Sequence, residues 1–311
     1  MEKLRVAVVG VGSLGAIHAR IFSKLDNAQL VGVAEVNLNR AKKIARACRC
    51  QYFSDFRQLF GVVNAASIVV PTKLHYKVAQ EFLKHNIHIL VEKPFTSTVS
   101  EADKLLALAK KNGLVLQVGH VERYNAAIQA IQQLPGKPKF IECHRLGTFA
   151  ARVKDVGVVL DLMIHDIDIV LGMVDAPVES IQAVGINVLT EHEDIANARL
   201  NFKNGAVANI TASRISPKSM RKIRLFQENA YISLDYEAQE ALIYKKQGNK
   251  ITRRKINIKK EKPLEKELRS FIRCVKERKA PLVSGLEGRN ALAVATEILE
   301  KIKTPKSLPH A

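Results

Sequence analysis

Asp161 and His165 stand four residues apart in a segment, 156–174, that otherwise reads as an apolar helix, and Asp168 follows three residues later. On an α-helix these spacings put the three polar side chains along one face. Burying such groups without a task is costly. Three tasks stay open at this point. A carboxylate and an imidazole at this spacing can share a metal ion. A carboxylate can instead fix the tautomer and orientation of a histidine that moves protons. The third reading is a capped, hydrogen-bonded structural histidine. A different chemistry is written near the N-terminus, where an apolar run, 4–9, passes into Gly10-Val11-Gly12-Ser13-Leu14-Gly15 and then a helix-like segment. A buried strand, a glycine turn and a helix in succession are the setting in which GxGxxG holds a pyrophosphate. Gly10 permits the turn, Gly12 admits the phosphates to the backbone, and Gly15 lets the helix pack on the strand. Ser13 and Leu14 open the helix, whose free N–H groups face the anion. A second apolar run, 30–34, ends in Glu35, placed to accept hydrogen bonds from the adenosine ribose and to repel a 2′-phosphate. NAD is favoured over NADP, with Arg40 nearby as the residue that could soften the preference.

The elements that position these groups follow a strand–helix rhythm. Runs 66–70, 87–91 and 114–118 end in Pro71-Thr72, Glu92-Lys93-Pro94 and Gly119-His120, and the helical stretch 99–112 between the last two stops at Gly113. This is the pattern of a doubly wound parallel sheet, which binds ligands beyond its C-terminal strand ends. Thr72, His75, Glu92, Lys93, Gln117 and His120 stand at those ends and outline a cleft. After His120 the rhythm changes: a helix near 122–134, a strand-rich region over 139–258 with turns at Lys203-Asn204-Gly205 and Gln247-Gly248-Asn249, and two closing helices, 264–278 and 286–303. The sequence thus predicts an α/β protein with an NAD-binding domain over 1–119, a substrate and oligomerisation domain over 120–303, and a loose tail over 304–311.

Composition narrows the class. The 311 residues are 47% hydrophobic and 25% charged, the balance of a soluble globular chain. No apolar run reaches the length of a membrane span, and the N-terminus enters a strand-like run at once, leaving no room for a signal peptide. Four cysteines make no disulfide framework, and Cys48 with Cys50 supply half a zinc site at best. A cytoplasmic protein without a metal is expected. The formal charge of +19 is concentrated in part in 245–269, where Lys255-Ile256-Asn257-Ile258-Lys259 reads as a strand with one wet face, an edge protected by lysine. No nucleic-acid-binding signature accompanies it. A solvated face is the preferred reading, and a non-catalytic NAD sensor that binds nucleic acid is the rival from another class.

The glycine turn, Glu92-Lys93-Pro94 at a strand end and Asp161-x-x-x-His165 on a later helix together resemble the glucose–fructose oxidoreductase/inositol dehydrogenase/rhizopine-catabolism (Gfo/Idh/MocA) family. The resemblance spans nearly the whole chain. It implies an N-terminal Rossmann domain followed by an α/β domain with a large, mostly antiparallel open sheet that often mediates homodimers or homotetramers. It further implies that Lys93 touches nicotinamide and the reacting hydroxyl, that Asp161 lies by the substrate and that His165 is the acid/base. Pro71, Thr72, His75, Glu92 and Gln117 join the glycine turn, Glu35 and Arg40 as implied cofactor contacts. The segments 119–125, 194–200 and 211–214 resemble a branch whose substrate is the nucleotide sugar UDP-N-acetylglucosamine, oxidised at C3. The ketone then goes to an aminotransferase on the way to a diamino sugar of lipid A. His120, Arg123, Tyr124, Asn125 and Arg152 become candidate substrate contacts, and Arg145, Lys154 and Arg214 further candidate grips for a diphosphate. A dehydrogenase of a free polyol such as an inositol is the alternative within the family.

Overall fold

The structure is a computed structural model that describes residues 2–149 and 156–303. These fall into two compact units, one of residues 2–121 with 262–289 and one of 122–149 and 156–261 with 290–303. The predicted tail, 304–311, and Arg152 with Lys154 lie outside the described residues.

In the first unit six parallel strands run in the order β3-β2-β1-β4-β5-β6: β1 (Leu4–Val9), β2 (Ala28–Ala34), β3 (Gln51–Phe53), β4 (Ala65–Ile68), β5 (His88–Glu92) and β6 (Leu116–Gly119). The order in which strands are added reverses between β1 and β4, the switch point at which such sheets bind dinucleotides. Helices α1 (Ser13–Phe22), α2 (Leu38–Cys48), α3 (Thr72–Lys84) and α4 (Val99–Lys111) make the crossovers. Their ends follow from local chemistry. Thr98 and Glu101 form a reciprocal capping box at the start of α4, and Gly113, with φ of +61°, turns the chain after it. Strand β3 is short and partly exposed, which is why its apolar signal is absent from the sequence.

Helix α7 (Pro263–Glu277) also belongs to this unit, where Leu268, Phe271, Ile272 and Val275 join Val6, Val8 and Phe22 in one core. The sequence places both closing helices in the second domain. In the fold α7 and the first turn of α8 (Gly285–Lys303) instead belong to the first unit, because an amphipathic stripe says that a helix is buried but not against what.

The second unit is built on an eight-stranded sheet in the order β14-β13-β12-β11-β7-β10-β9-β8. Its strands are β7 (Phe140–Leu146), β8 (Val178–Ile186), β9 (Ile195–Phe202), β10 (Val207–Ser213), β11 (Met220–Phe226), β12 (Ala230–Asp235), β13 (Glu240–Gln247) and β14 (Lys250–Lys255). All neighbours are antiparallel except β7 and β10. Alternate residues such as Ile141, Cys143, Ile210 and Ile223 face a core shared with Ile167 and Val170 of α6 (Ile164–Val174) and with Ala295 of α8. Phe140, Phe226, Tyr231 and Tyr244, in register on four adjacent strands, form a ladder of rings with centroids 5.0–5.4 Å apart. The segment expected as a basic edge strand, 255–259, is not a strand beyond Lys255; the edge strand is instead β14, which precedes it. It starts earlier than the lysine–isoleucine alternation suggests, and all six of its residues are exposed. Ile256 and Ile258 lie beyond it and pack on the core.

Candidate active site

The first part of the site is a cradle at the ends of β1, β2 and β4. Gly10 has φ of +84°, and a Cβ there would lie 2.6 Å from the Val69 carbonyl oxygen. Gly15 packs so closely that a Cβ would collide with the Gly10 carbonyl. Gly12 is the N-cap of α1 and has no side-chain cap, while Ser13 and Leu14, its first residues, are exposed. Glu35 accepts the Val11 N–H through Oε2 and the Asn37 N–H through Oε1, both at 3.0 Å. Those bonds aim the carboxylate and leave each oxygen a further lone pair for a ribose hydroxyl. Arg40 is half exposed, 3.6 Å from Glu35. Gly12, Glu35, Arg40 and Pro71 line a cavity of about 620 Å³ together with Ser54 and Phe56. Ser54 and Phe56 were missed in the sequence because they follow β3, the strand that left no signal. The set fits an adenine dinucleotide: backbone donors for a pyrophosphate, a carboxylate for the ribose and an apolar wall for the base. Gln117 adds a buried amide whose nitrogen and oxygen have no hydrogen-bond partner among the described residues, so its pairing capacity remains for a bound polar group.

The second part is the turn after β5, where Lys93 is half-buried between Glu92 and a cis-bonded Pro94. Thr72 begins α3, and His75 lies one turn on. Both ring nitrogens of His75 lie 2.8 Å from a carbonyl oxygen, Nδ1 from that of Pro94 and Nε2 from that of Val70, and the neutral ring donates its one N–H to one of the two. Burial pushes its pKa below the usual histidine value despite those two contacts. These contacts hold the ring against the turn that carries Pro94. Glu92 is likewise buried and turned inward, with Oε2 accepting the Lys93 N–H at 3.3 Å.

The second unit carries Asp161 and His165. The expected single helix over 156–174 is a π-helical turn, Val159–Met163, followed by α6. Asp161 sits in the wider turn and His165 one residue into α6, and both are half-buried. π-turns of this kind recur at functional sites. Its start is fastened by Glu193, whose Oε1 accepts the Val159 N–H at 3.1 Å, and by Arg214, which donates to the Val156 carbonyl at 2.7 Å. Asp168 does not share the setting of that pair: it is buried and bonded to Arg123 at 3.3 Å.

Two of the arginines expected to meet substrate pair with buried carboxylates. Arg123 is 6% exposed and bonds both the side chain and the carbonyl of Asp168. Arg145 forms a fork on Asp166 at 2.9 and 3.2 Å and reaches Glu122 at 3.2 Å, while Tyr236 donates to the same Asp166 at 2.9 Å. Asn125 caps α5 (Ala126–Gln132) through Ala127 and donates to the Tyr236 carbonyl, so its amide is used on both sides. His120 and Tyr124 are buried, at 1% and 2% exposure. These buried pairs tie α6 to the sheet. They were hidden in the sequence because a basic chain offers no local sign of which arginine has a distant carboxylate.

Asp194 supplies a check on this framework. Burial by itself would raise its pKa, but the Leu189 and Val188 N–H groups, the Arg214 guanidinium and the Thr190 N–H outweigh it and hold the carboxyl well below the usual carboxylate range. A lowered folded value means stability that is present above the unfolded pKa of about 4 and lost as pH falls below it. Asp194→Asn should therefore be less stable than the parent at neutral pH, and the gap should narrow below about pH 4. Urea denaturation across that range reads it. A constant gap would mean that the charge of Asp194 contributes nothing.

A parallel sheet in this order, a glycine turn that admits phosphates and a carboxylate on the ribose side define an NAD-binding Rossmann dehydrogenase. Residues 4–120 match the family model described as an oxidoreductase family with an NAD-binding Rossmann fold (GFO/IDH/MocA), and 130–233 match the GFO/IDH/MocA C-terminal domain. The chain belongs to that family, and it is an NAD-dependent oxidoreductase acting on a CH–OH group. It is 34% identical over 305 residues to UDP-N-acetylglucosamine 3-dehydrogenase of Acidithiobacillus ferrooxidans, with 96% of this chain and 97% of that one covered. A solved structure of that enzyme superposes with a TM-score of 0.93 at 35% identity, covering 97% of this chain and 98% of the other. Myo-inositol 2-dehydrogenase of Thermotoga maritima is 24% identical over 98% of each chain.

Proposed function

We propose that the chain oxidises C3 of UDP-N-acetylglucosamine to the 3-keto nucleotide sugar. The observation that carries this reading is full-length identity of 34% to an enzyme of that name, well above the 24% to the inositol enzyme. Bound NAD supplies the hydride acceptor. The chain's own groups supply the rest: a ring nitrogen of His165 takes the hydroxyl proton, the Lys93 ammonium stabilises the alkoxide oxygen as charge develops, and Asp161 orients the sugar. Glu35 favours NAD over NADP, since its inward-held carboxylate lies where a 2′-phosphate would be. The chain works in the cytoplasm as a homodimer or homotetramer. A ketone beside an acetamido group is a poorly favoured product, so an aminotransferase that consumes it completes the step. In that setting it would serve a route to diamino-sugar lipid A.

NADH formation with UDP-N-acetylglucosamine, an aminotransferase and glutamate, run beside myo-inositol, tests the substrate. Signal with the nucleotide sugar and none with the polyol is expected. The reverse result would leave the family reaction in place and transfer the substrate to free polyols.

A further inference from the structure

Two histidines outside the proton-transfer set lie against the two neighbours of Lys93. His18 on α1 is fully buried, its Nδ1 hydrogen-bonded to Ser67 Oγ on β4 at 2.9 Å, and its Nε2 lies 3.2 Å from Glu92 Oε1 at the end of β5, a close approach without hydrogen-bond alignment. The same carboxylate accepts the Lys93 N–H through its other oxygen. It is pressed against Gly119, where a Cβ would lie 2.8 Å from it, so it has little room to turn away. On the far side of the lysine, His75 spans the carbonyls of Pro94 and Val70 at 2.8 Å each. The residue before Lys93 and the residue after it thus each rest on a buried imidazole, one from α1 and one from α3. Apolar side chains would fill these positions without desolvating a ring nitrogen, so packing alone does not call for histidine. A long lysine side chain places its ammonium only as well as its backbone is held, and a misplacement of about 1 Å at a reacting centre can cost about a hundredfold in rate.

We propose that His18 and His75 are positioning residues, a bracket that fixes the Glu92-Lys93-Pro94 turn and through it the Lys93 ammonium. The proposal rests on the role given to Lys93 above. Its functional test uses the full chain with NAD and UDP-N-acetylglucosamine, and its mechanical test needs no substrate. His18→Leu and His75→Leu should each lower kcat by about ten- to a hundredfold while NAD Kd and KM change by less than about threefold. His18→Gln, whose amide nitrogen can take the place of Nε2 beside Glu92, should recover most of the loss. His18→Asn, whose amide reaches only toward Ser67, should not. Should His18→Leu fail to fold, the contrast between Gln and Asn decides alone. Amide hydrogen exchange over 92–96 should quicken in the Leu variants while the rest of the first unit stays protected.

Unchanged exchange over 92–96, or equal turnover for Gln and Asn at position 18, overturns the bracket. Failure of the underlying reading looks different: Lys93→Ala would turn over normally while exchange still quickened in the Leu variants. In the Lys93→Ala background His18→Leu should cost nothing further, since both changes act through one ammonium.

Discussion

His165→Ala should lower kcat by about a hundred- to ten-thousandfold while the Kd for NAD stays within about twofold of the parent. The imidazole is half-buried on α6 in the second unit, whereas the glycine turn, Glu35 and the 620 Å³ cavity all belong to the first. On the proposed mechanism, removing the ring takes away the proton acceptor and leaves every residue of the cradle in place. Lys93→Ala should cost about a hundred- to a thousandfold in kcat by loss of charge stabilisation at the developing alkoxide. The two losses need not add, because groups that act on one oxygen in one step are coupled. Steady-state kinetics with NAD titrated by fluorescence separates the effects. Near-normal turnover in either variant would remove that residue from the reaction.

Gly12→Val should raise the Kd for NAD by about a hundredfold or more and leave the fold intact. A Cβ at Gly12 meets nothing within 4 Å, and its φ of −63° suits any residue, so the chain itself tolerates the side chain. What the isopropyl group occupies is the space through which a pyrophosphate approaches the backbone. Gly15→Val is the contrasting variant. There a Cβ collides with the Gly10 carbonyl, so α1 has to move off the sheet and thermal stability falls along with binding. Calorimetric titration beside thermal melts distinguishes the pair. A Gly12→Val protein that melts like the parent and binds NAD normally would mean that the phosphates lie elsewhere.

Much of the cradle was legible in the chain because its determinants are local. A glycine that must adopt φ of +84° and a carboxylate at the end of the next strand are demands of backbone geometry over a few dozen residues. The Asp161 and His165 spacing was legible for the same reason, although the π-turn beneath Asp161 was not. Nothing in the local sequence announces the extra residue per turn that Glu193 and Arg214 fasten at its start.

The sequence by itself determined the βαβ order, the dinucleotide turn, the Glu92-Lys93-Pro94 strand end and the polar pair on a late helix, since periodicity and turn chemistry act between near neighbours. The tertiary structure alone decided which charges are spent internally. Arg123, Arg145 and Arg214 each find a buried carboxylate 20 or more residues away, and His75 meets a carbonyl 19 residues on. It also sent α7 to the first unit and set His18 behind Glu92, 74 positions later in the chain. Such pairings depend on how strands and helices stack across the fold. Two residues of the right type have no means of signalling from the sequence that packing will bring them within 3 Å.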